Sequence, residues 1–559
     1  MLDIAQKIEG LIKKAGAELG FDFPIANIEH PDDITHGDYS TNVALMYSKI
    51  LGKSPREIAD NLKNEIEKNL PKEIVKVEVA GAGFINFFLS REFFSESIGE
   101  IIKDEDFGKN EIGEGKKVVV EYSSPNIAKP FTVGHLRSTI IGDAIANIIS
   151  NSGFEVIRDN HLGDWGTQFG KQIVAIEKWG SIKELKESST PMRYLVELYV
   201  KFHEVAESDE TLEERARSRF KDLESGEQTA IEIYNETIKV SKEYFNSIYE
   251  KLEVKKFDTE LGESFYTPFI EKITKELEDK KLLKVSEGAT LVFFEEDKLP
   301  PLMIKKSDGT TLYATRDLAT DSYRLNAYGK DTIIINEVGG EQSLYFKQVF
   351  ETEKLLGWVG DNQRVHVAHG LYRFKEGKMS TRKGNVIWLE EVIDEAIKRA
   401  EEINKETSKD VAIGALKFND LKRKSSEDIV FDWDEILNLK GDSGPYLQYS
   451  YVRAYSIIEK ANGVNIKESF DVVLPSITNL EKILYRFPEV TLRAGQEYSP
   501  HYIATYLMEL ASAFSNFYAQ GVIVSDSPEA PYKVAITKAF SVVMKRGLEL
   551  LGIPVLKKM

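Results

Sequence analysis

The first hundred residues change periodicity several times. Ile4, Ile8, Leu11, Ile12 and Ala15 recur at helical spacing and predict an amphipathic helix. The turn-rich His36-Gly37-Asp38-Tyr39 and a second helical stretch follow. Apolar runs around Val75–Val79 and Phe84–Leu89 then predict strands. Polar Lys103–Lys116, with Gly108, Gly113 and Gly115, predicts a linker. Beyond it Val118-Val119-Val120 reads as a buried strand, and Leu136, Ile140, Ile141, Ala144, Ile145 and Ile148 again repeat at helical spacing. Further strands at Glu155–Arg158, Thr332–Ile335 and Val365–Ala368 alternate with helices, which predicts a parallel α/β sheet between about Lys117 and Leu389. The long charged helical pattern of 185–260 reads as an insertion on that core. Residues 390–559 repeat Ala, Leu, Ile and Phe at helical spacing throughout.

Three units follow: an α+β unit over 1–110, an α/β unit over 111–400 with its insertion, and an all-α unit over 401–559 whose first part, 401–440, is a link. Hydrophobic content of 42% over 559 residues supports cores of this kind. No cysteine is present, which excludes disulfides, thiolate chemistry and cysteine-held metals and fits a cytoplasmic setting. No apolar run approaches the roughly 18 residues that span a membrane. A net charge of −18 argues against nucleic-acid binding by the surface as a whole. Lys417, Lys422, Arg423 and Lys424 nevertheless form a local basic cluster.

Two segments carry candidate chemistry. Ser123-Ser124-Pro125-Asn126-Ile127-Ala128-Lys129-Pro130-Phe131-Thr132-Val133-Gly134-His135 leads from a strand into a helix start, where backbone N–H groups and the helix dipole favour a phosphate. Lys378-Met379-Ser380-Thr381-Arg382-Lys383-Gly384-Asn385 follows a turn at Glu376-Gly377 and places three cations among eight residues, suited to clamping phosphates. No Ser-His-Asp arrangement or HExxH metal motif accompanies them, and no protein-held metal is expected.

The pair resembles the HIGH and KMSKS signatures of class I aminoacyl-tRNA synthetases, here Thr132-Val133-Gly134-His135 and Lys378-Met379-Ser380-Thr381-Arg382. Ser124–Pro130, Asn160-His161-Leu162-Gly163-Asp164-Trp165-Gly166-Thr167-Gln168-Phe169-Gly170, Leu312–Asp317, Gln342–Phe346 and Gly377–Asn385 are similar to the arginyl members. Gly37-Asp38-Tyr39, Gly83–Phe87, Phe431–Asp434, Gly444–Tyr449 and Leu551-Gly552-Ile553 extend the resemblance to both ends. It implies a Rossmann-like catalytic unit, an N-terminal unit that contacts the tRNA D-loop and a helical anticodon-binding unit. The activity implied is ATP-dependent formation of arginyl-adenylate, with Mg²⁺ on the phosphates, and transfer of arginine to tRNA(Arg) by a monomer. The alternative is a paralogue that binds tRNA with little or no charging.

A guanidinium is planar and permanently charged and prefers a fork of carboxylates. Glu121 ends the first α/β strand, and Tyr313 and Asp317 share one face if their segment is helical. The resemblance implies that these three surround the substrate guanidinium. It places Ser124, Pro125, Asn126, His135 and Gln342 at the α-amino and carboxylate end, with His161 lining the site. Lys129, Thr132, Gly134, His135, Lys378 and Met379 would hold ATP, and Ser380, Arg382 and Lys383 would join Thr132, Gly134, His135 and Lys378 in stabilising the transfer. Phe84 and Asn86 would read a D-loop base, and the basic cluster would contact tRNA backbone. Two departures stand out: Thr132 replaces the first His of HIGH, and Thr381 replaces the second Lys of KMSKS.

Overall fold

β-branched runs flanked by helices build the centre of the molecule. The computed structural model describes residues 2–295, 299–307, 313–373, 387–438, 441–461, 470 and 472–559. The N-terminal unit starts with the helix Leu2–Glu18 and contains strands β1 (Tyr39–Thr41), β2 (Ile74–Ala80) and β3 (Phe84–Leu89). They form an antiparallel sheet in the order β1-β3-β2. The helix Pro55–Ile66 has Ser54 as its N-cap and proline at its first turn, and its stripe Ile58, Leu62 and Ile66 is buried. Tyr485, from the C-terminal region, completes this unit's core.

The chain from Asp104 to Lys116 crosses without helix or strand into β4 (Lys117–Glu121). β5 (Glu155–Asp159) follows the helix Val133–Asn151. Between it and the rest of the sheet lie the insertion helices, from Ile182–Glu187 to Gln228–Lys251, and an antiparallel sheet of β6 (Leu283–Ser286), β7 (Ala289–Val292) and β8 (Leu302–Lys305). The second of these insertions gave no sequence signal that distinguished it from the parallel core. β9 (Ile333–Gly339) and β10 (Arg364–His369) complete the central sheet, ordered β10-β9-β4-β5 and parallel throughout.

All four expected strands are therefore neighbours. From β4 the chain steps one way to β5, while β9 lies on β4's other side. That reversal opens a crevice at the carboxyl ends of β4 and β9, the place where α/β sheets receive ligands. The helix Val133–Asn151 crosses the sheet and is buried on nearly every face, so its apolar stripe is broad.

β11 (Tyr372–Arg373) pairs in parallel with β12 (Ile429–Val430). Helices Gly444–Lys460, His501–Ala519 and Ala530–Leu550 dominate the C-terminal unit, where the rings of Phe514 and Phe540 stack 4.0 Å apart. Among the described residues, no helix is long and apolar enough to cross a membrane.

Candidate active site

The loop after β4 is tightly constrained. Ser123, Ser124 and Ala128 adopt φ of 69°, 42° and 58°, backbone states costing on the order of 1 kcal/mol or more each. Its neighbours hold it there. Ser123 N–H donates to Ser138 Oγ (2.9 Å), Ala128 N–H to Ser241 Oγ (3.1 Å) and Ile127 N–H to Gly163 O (3.1 Å). Gly163 N–H returns a bond to the Pro125 carbonyl (3.1 Å). A Cβ on Gly163 would lie 2.6 Å from Asn126 Oδ1, so this close approach requires glycine. Ser124 N–H also donates to Asn160 Oδ1 (3.2 Å). The Asn160–Gly170 stretch is thus the physical partner of the Ser124–Asn126 loop.

Thr132 is the extended N-cap of the helix Val133–Asn151. Its backbone N–H donates to His135 Nδ1 (3.0 Å), and its Oγ1 lies 3.1 Å from the same nitrogen. A nitrogen that accepts carries no proton, so the neutral ring keeps its hydrogen on Nε2. Burial pushes His135 down to about 4, with Lys129 and His369 acting in the same direction. His135 is therefore a neutral N–H donor at neutral pH. Gly134, beside it, is exposed.

The crevice floor is a chain of buried charges. Arg324 Nη2 lies 2.6 Å from Glu121 Oε2, and Arg324 Nε donates to Asp159 Oδ2 (2.9 Å). Arg324 Nη1 reaches Asp321 (2.9 Å), which also accepts from Arg364 (2.6 Å). Asn336 Nδ2 donates to Glu121 Oε2 as well (3.0 Å). Asp321 and Arg324 stand four and seven residues beyond Asp317 on the helix Tyr313–Tyr328, a one-face spacing that could have revealed them in the sequence.

Asp317 differs from these acids. Tyr345 Oη donates to its carboxyl, but among the described residues no cation pairs with it. Burial pushes Asp317 up to about 6; Tyr345 and His161 oppose the rise, while the charges of Glu121 and Asp321 add to it. Glu263, which sequence reasoning missed, is raised to about 7, again chiefly by burial. Its only cation contact at short range is Arg316, 3.6 Å away, among the described residues. His161 Nδ1 is buried without a hydrogen-bond partner, and its ring packs on Tyr266 at 5.5 Å. Burial lowers Lys129, and the charge of Glu263 partly restores it. Tyr313 is 65% exposed at the start of its helix, and Gln342 is exposed where the helix Ser343–Leu356 begins.

Lys378, Met379, Ser380, Thr381, Arg382 and Lys383 lie outside the described residues. The chain on either side of them converges on the helix start. Leu389 N–H donates to Phe131 O (2.9 Å), Thr132 bridges Trp388, and Gly370 lies beside the 425–428 segment.

A family model described as tRNA synthetases class I (R), catalytic domain, matches residues 97–433. The Arginyl tRNA synthetase N terminal domain matches 3–89, and the DALR anticodon binding domain matches 447–559. The chain belongs to the arginyl-tRNA synthetases. An arginine–tRNA ligase from Clostridium acetobutylicum is 41% identical over 547 residues, covering 95% of this chain and 96% of that protein. The arginyl-tRNA synthetase structure from Plasmodium falciparum superposes with a TM-score of 0.85 at 25% identity, covering 100% of this chain and 99% of that one. The one from Thermus thermophilus gives 0.81, also at 25% identity, covering 99% and 100%.

In this synthetase the residues expected to face tRNA divide sharply. Phe84, at the start of β3, is 44% exposed. Asn86 shares its face of the strand but is buried, and its Oδ1 accepts from Ser40 Oγ (2.7 Å). The basic cluster needs correction. Lys417 is 1% exposed and donates to the backbone carbonyls of Gly552 (2.6 Å) and Glu253 (3.3 Å). Lys422 and Arg423 both pair with Glu435 at 2.7 Å. Lys424 is the member of the cluster that is exposed. The four cations pass from core to surface in order, because Lys417 lies within a helix buried on almost all sides and the other three follow its end.

Proposed function

We propose that the chain is an arginine–tRNA ligase that activates L-arginine with ATP and transfers it to tRNA(Arg). The observation that carries the choice of amino acid is Asp317. It is a half-buried residue whose carboxyl has a tyrosine donor and, among the described residues, no paired cation, beside the Glu121–Arg324 pair. A guanidinium entering from the crevice supplies the missing charge and donates in a plane. Glu121 has one oxygen engaged by Arg324 and Asn336, so its other oxygen is the one offered to the ligand. Lysine would leave part of this fork unpaired, a loss that sites built on hydrogen bonds convert into strong rejection.

In the first step an arginine carboxylate oxygen attacks the α-phosphorus and pyrophosphate departs. His135 donates from Nε2 to a phosphate oxygen, and its low basicity keeps it a neutral donor throughout. Mg²⁺ enters with the triphosphate as part of the substrate. Lys129 and the cations of Lys378–Lys383 counter the charge that builds on the phosphate. In the second step a hydroxyl of the terminal adenosine attacks the activated carbonyl and AMP leaves; positioning dominates this step. Ser124, Pro125, Asn126 and Gln342 orient the α-amino end, with His161 on the pocket wall. One chain contains all of these groups, so a monomer suffices, working in the cytoplasm where its tRNA is used.

Pyrophosphate exchange tested with each amino acid, with and without tRNA, decides the matter. Exchange with arginine alone, dependent on tRNA, is expected. Exchange with another amino acid overturns the specificity, and no exchange at all leaves a tRNA-binding protein.

A further inference from the structure

Arg137 lies two residues beyond His135 on the same helix and is 1% exposed. Its guanidinium is spent on the helix residue Asp420 and on the segment that follows that helix. Nε donates to Asp420 Oδ1 (3.1 Å), Nη1 to the Glu427 carbonyl (2.7 Å) and Nη2 to the Ser425 carbonyl (3.0 Å). The segment Ser425–Phe431 is in turn zipped to Gly370–Arg373, the stretch that ends in β11. Gly370 N–H donates to Ser425 O, Ile429 N–H to Leu371 O and Phe431 N–H to Arg373 O, each at 2.9 Å. The Asp428 carboxylate accepts from Leu371 N–H and from Arg373 Nε, both at 2.8 Å. Tyr372 Oη closes the circuit on Asp420 Oδ2 (2.7 Å). In sequence, Gly370–Arg373 is the approach to Lys378.

A helix interior does not need a buried arginine for its own stability, and desolvating a guanidinium is expensive unless every arm is used. Here Nη1 and Nη2 reach the strap that also holds the approach to the second signature, and Nε reaches Asp420, which itself accepts from Tyr372 of that approach. We propose that Arg137 is a positioning residue for arginine activation: through the 425–431 strap it fixes the spacing between His135 and the strand that leads to Lys378. The inference rests on the reading of these two signatures as halves of one activating site. Arg137 touches no reacting atom. Its effect falls on the phosphate half of the site, because the pocket of Asp317, Glu121 and Glu263 has no bond to the strap among the described residues.

The test pairs kinetics with amide hydrogen exchange on the full chain. Lysine reaches one partner as a point charge, so Arg137→Lys keeps the charge and loses the fork. It should lower kcat for arginine-dependent pyrophosphate exchange by tenfold or more and leave KM for arginine within twofold. Backbone protection of 370–373 and 429–431 should fall in the same protein. Asp428→Asn, at a surface-accessible position that leaves the fold intact, should do the same to a smaller degree. The double variant should be no slower than Arg137→Lys, because both changes loosen one linkage. If Arg137→Lys does not fold, Asp428→Asn and Arg373→Gln carry the same two readouts. Unchanged protection, independent multiplication of the two effects, or a rise in KM for arginine at constant kcat overturns the inference. A wild-type chain without arginine-dependent exchange overturns the functional reading instead, while protection in those samples still decides whether Arg137 holds the strap.

Discussion

The carboxylate pocket at the ends of β4 and β9 and the basic cluster Lys417–Lys424 are two charged regions singled out by sequence, and they turn out opposite in kind. In the pocket, internal partners fall short of the charges: among the described residues Arg324 serves Glu121, Asp159 and Asp321, and Asp317 has a tyrosine and no paired cation. In the cluster, internal partners exceed expectation: Lys417 is absorbed by two carbonyls, and Lys422 and Arg423 share Glu435. Unsatisfied buried charge points to a ligand, because leaving a group so costs far more than surface charge does. A run of like charges in sequence says nothing about satisfaction until the partners are known.

The largest effect should come from the unpaired acid. Asp317→Asn preserves shape and the Tyr345 contact while removing the charge a guanidinium needs. KM for arginine in pyrophosphate exchange should rise by about 100-fold, the scale of a lost buried charge partner. The melting temperature should hold or rise, since a raised carboxyl is a group the fold would rather keep neutral. An unchanged KM would erase the contrast between the two regions.

Lys417→Met makes the converse change. It removes a buried cation that faces no ligand, leaving the Gly552 and Glu253 carbonyls short of a donor. The expected loss is about 2 kcal/mol of stability, read from denaturant unfolding. KM for tRNA should not move. A specific loss of tRNA affinity at full stability would return Lys417 to the interface.

Much of the fold was open to reading because it rests on local pattern. β4, β5, β9 and β10 announce themselves as β-branched runs, and the helix Val133–Asn151 as a broad apolar repeat. The three-stranded sheet β6–β8 did not: its strands are short, Leu283–Ser286 is mostly exposed and Ala289–Val292 is mostly half-buried, so these two carry little alternation. At the site, the Ser124–Asn126 loop and His135 could be found because motifs are contiguous. Glu263 belongs to no such motif, and Arg324, though at helical spacing from Asp317, takes its role from Asp159, which is far away in sequence. Lys417 was misjudged for the same reason: its partners, Gly552 and Glu253, are neighbours only in the folded chain.

Proton linkage tests the pocket without mutation. Burial raises Asp317 to about 6 and Glu263 to about 7, so the empty folded protein binds these protons more tightly than the unfolded chain does. Their contribution to stability is therefore present at acid pH and is lost as pH rises towards 7. A permanent cation reverses the preference, because arginine favours the ionised acids. Its binding should release protons near pH 6, and KM for arginine should fall by about tenfold from pH 5.5 to 7.5 and then level off. The rise in melting temperature produced by arginine should grow over the same window. In Asp317→Asn the step should shrink; a full-sized step there would assign the titration to Glu263 alone.

The smallest effect belongs to the one cluster member left at the surface. Lys424 stands exposed between Arg423, which is bound to Glu435, and Ser425, whose carbonyl is held by Arg137. If it meets a phosphate, it does so as an exposed point charge, and such contacts are individually weak and screened by salt. Lys424→Ala should raise KM for tRNA by about two- to threefold and reduce the slope of log affinity against log salt by about one. Stability should stay within about 0.5 kcal/mol of the parent, as for a surface change with no partner removed. Paired with Lys417→Met, this gives a crossed result: one lysine moves stability and not tRNA, its neighbour seven residues on moves tRNA and not stability. An unchanged salt slope in Lys424→Ala would mean that the strap turns a different face to the nucleic acid, and that the whole basic cluster serves the fold.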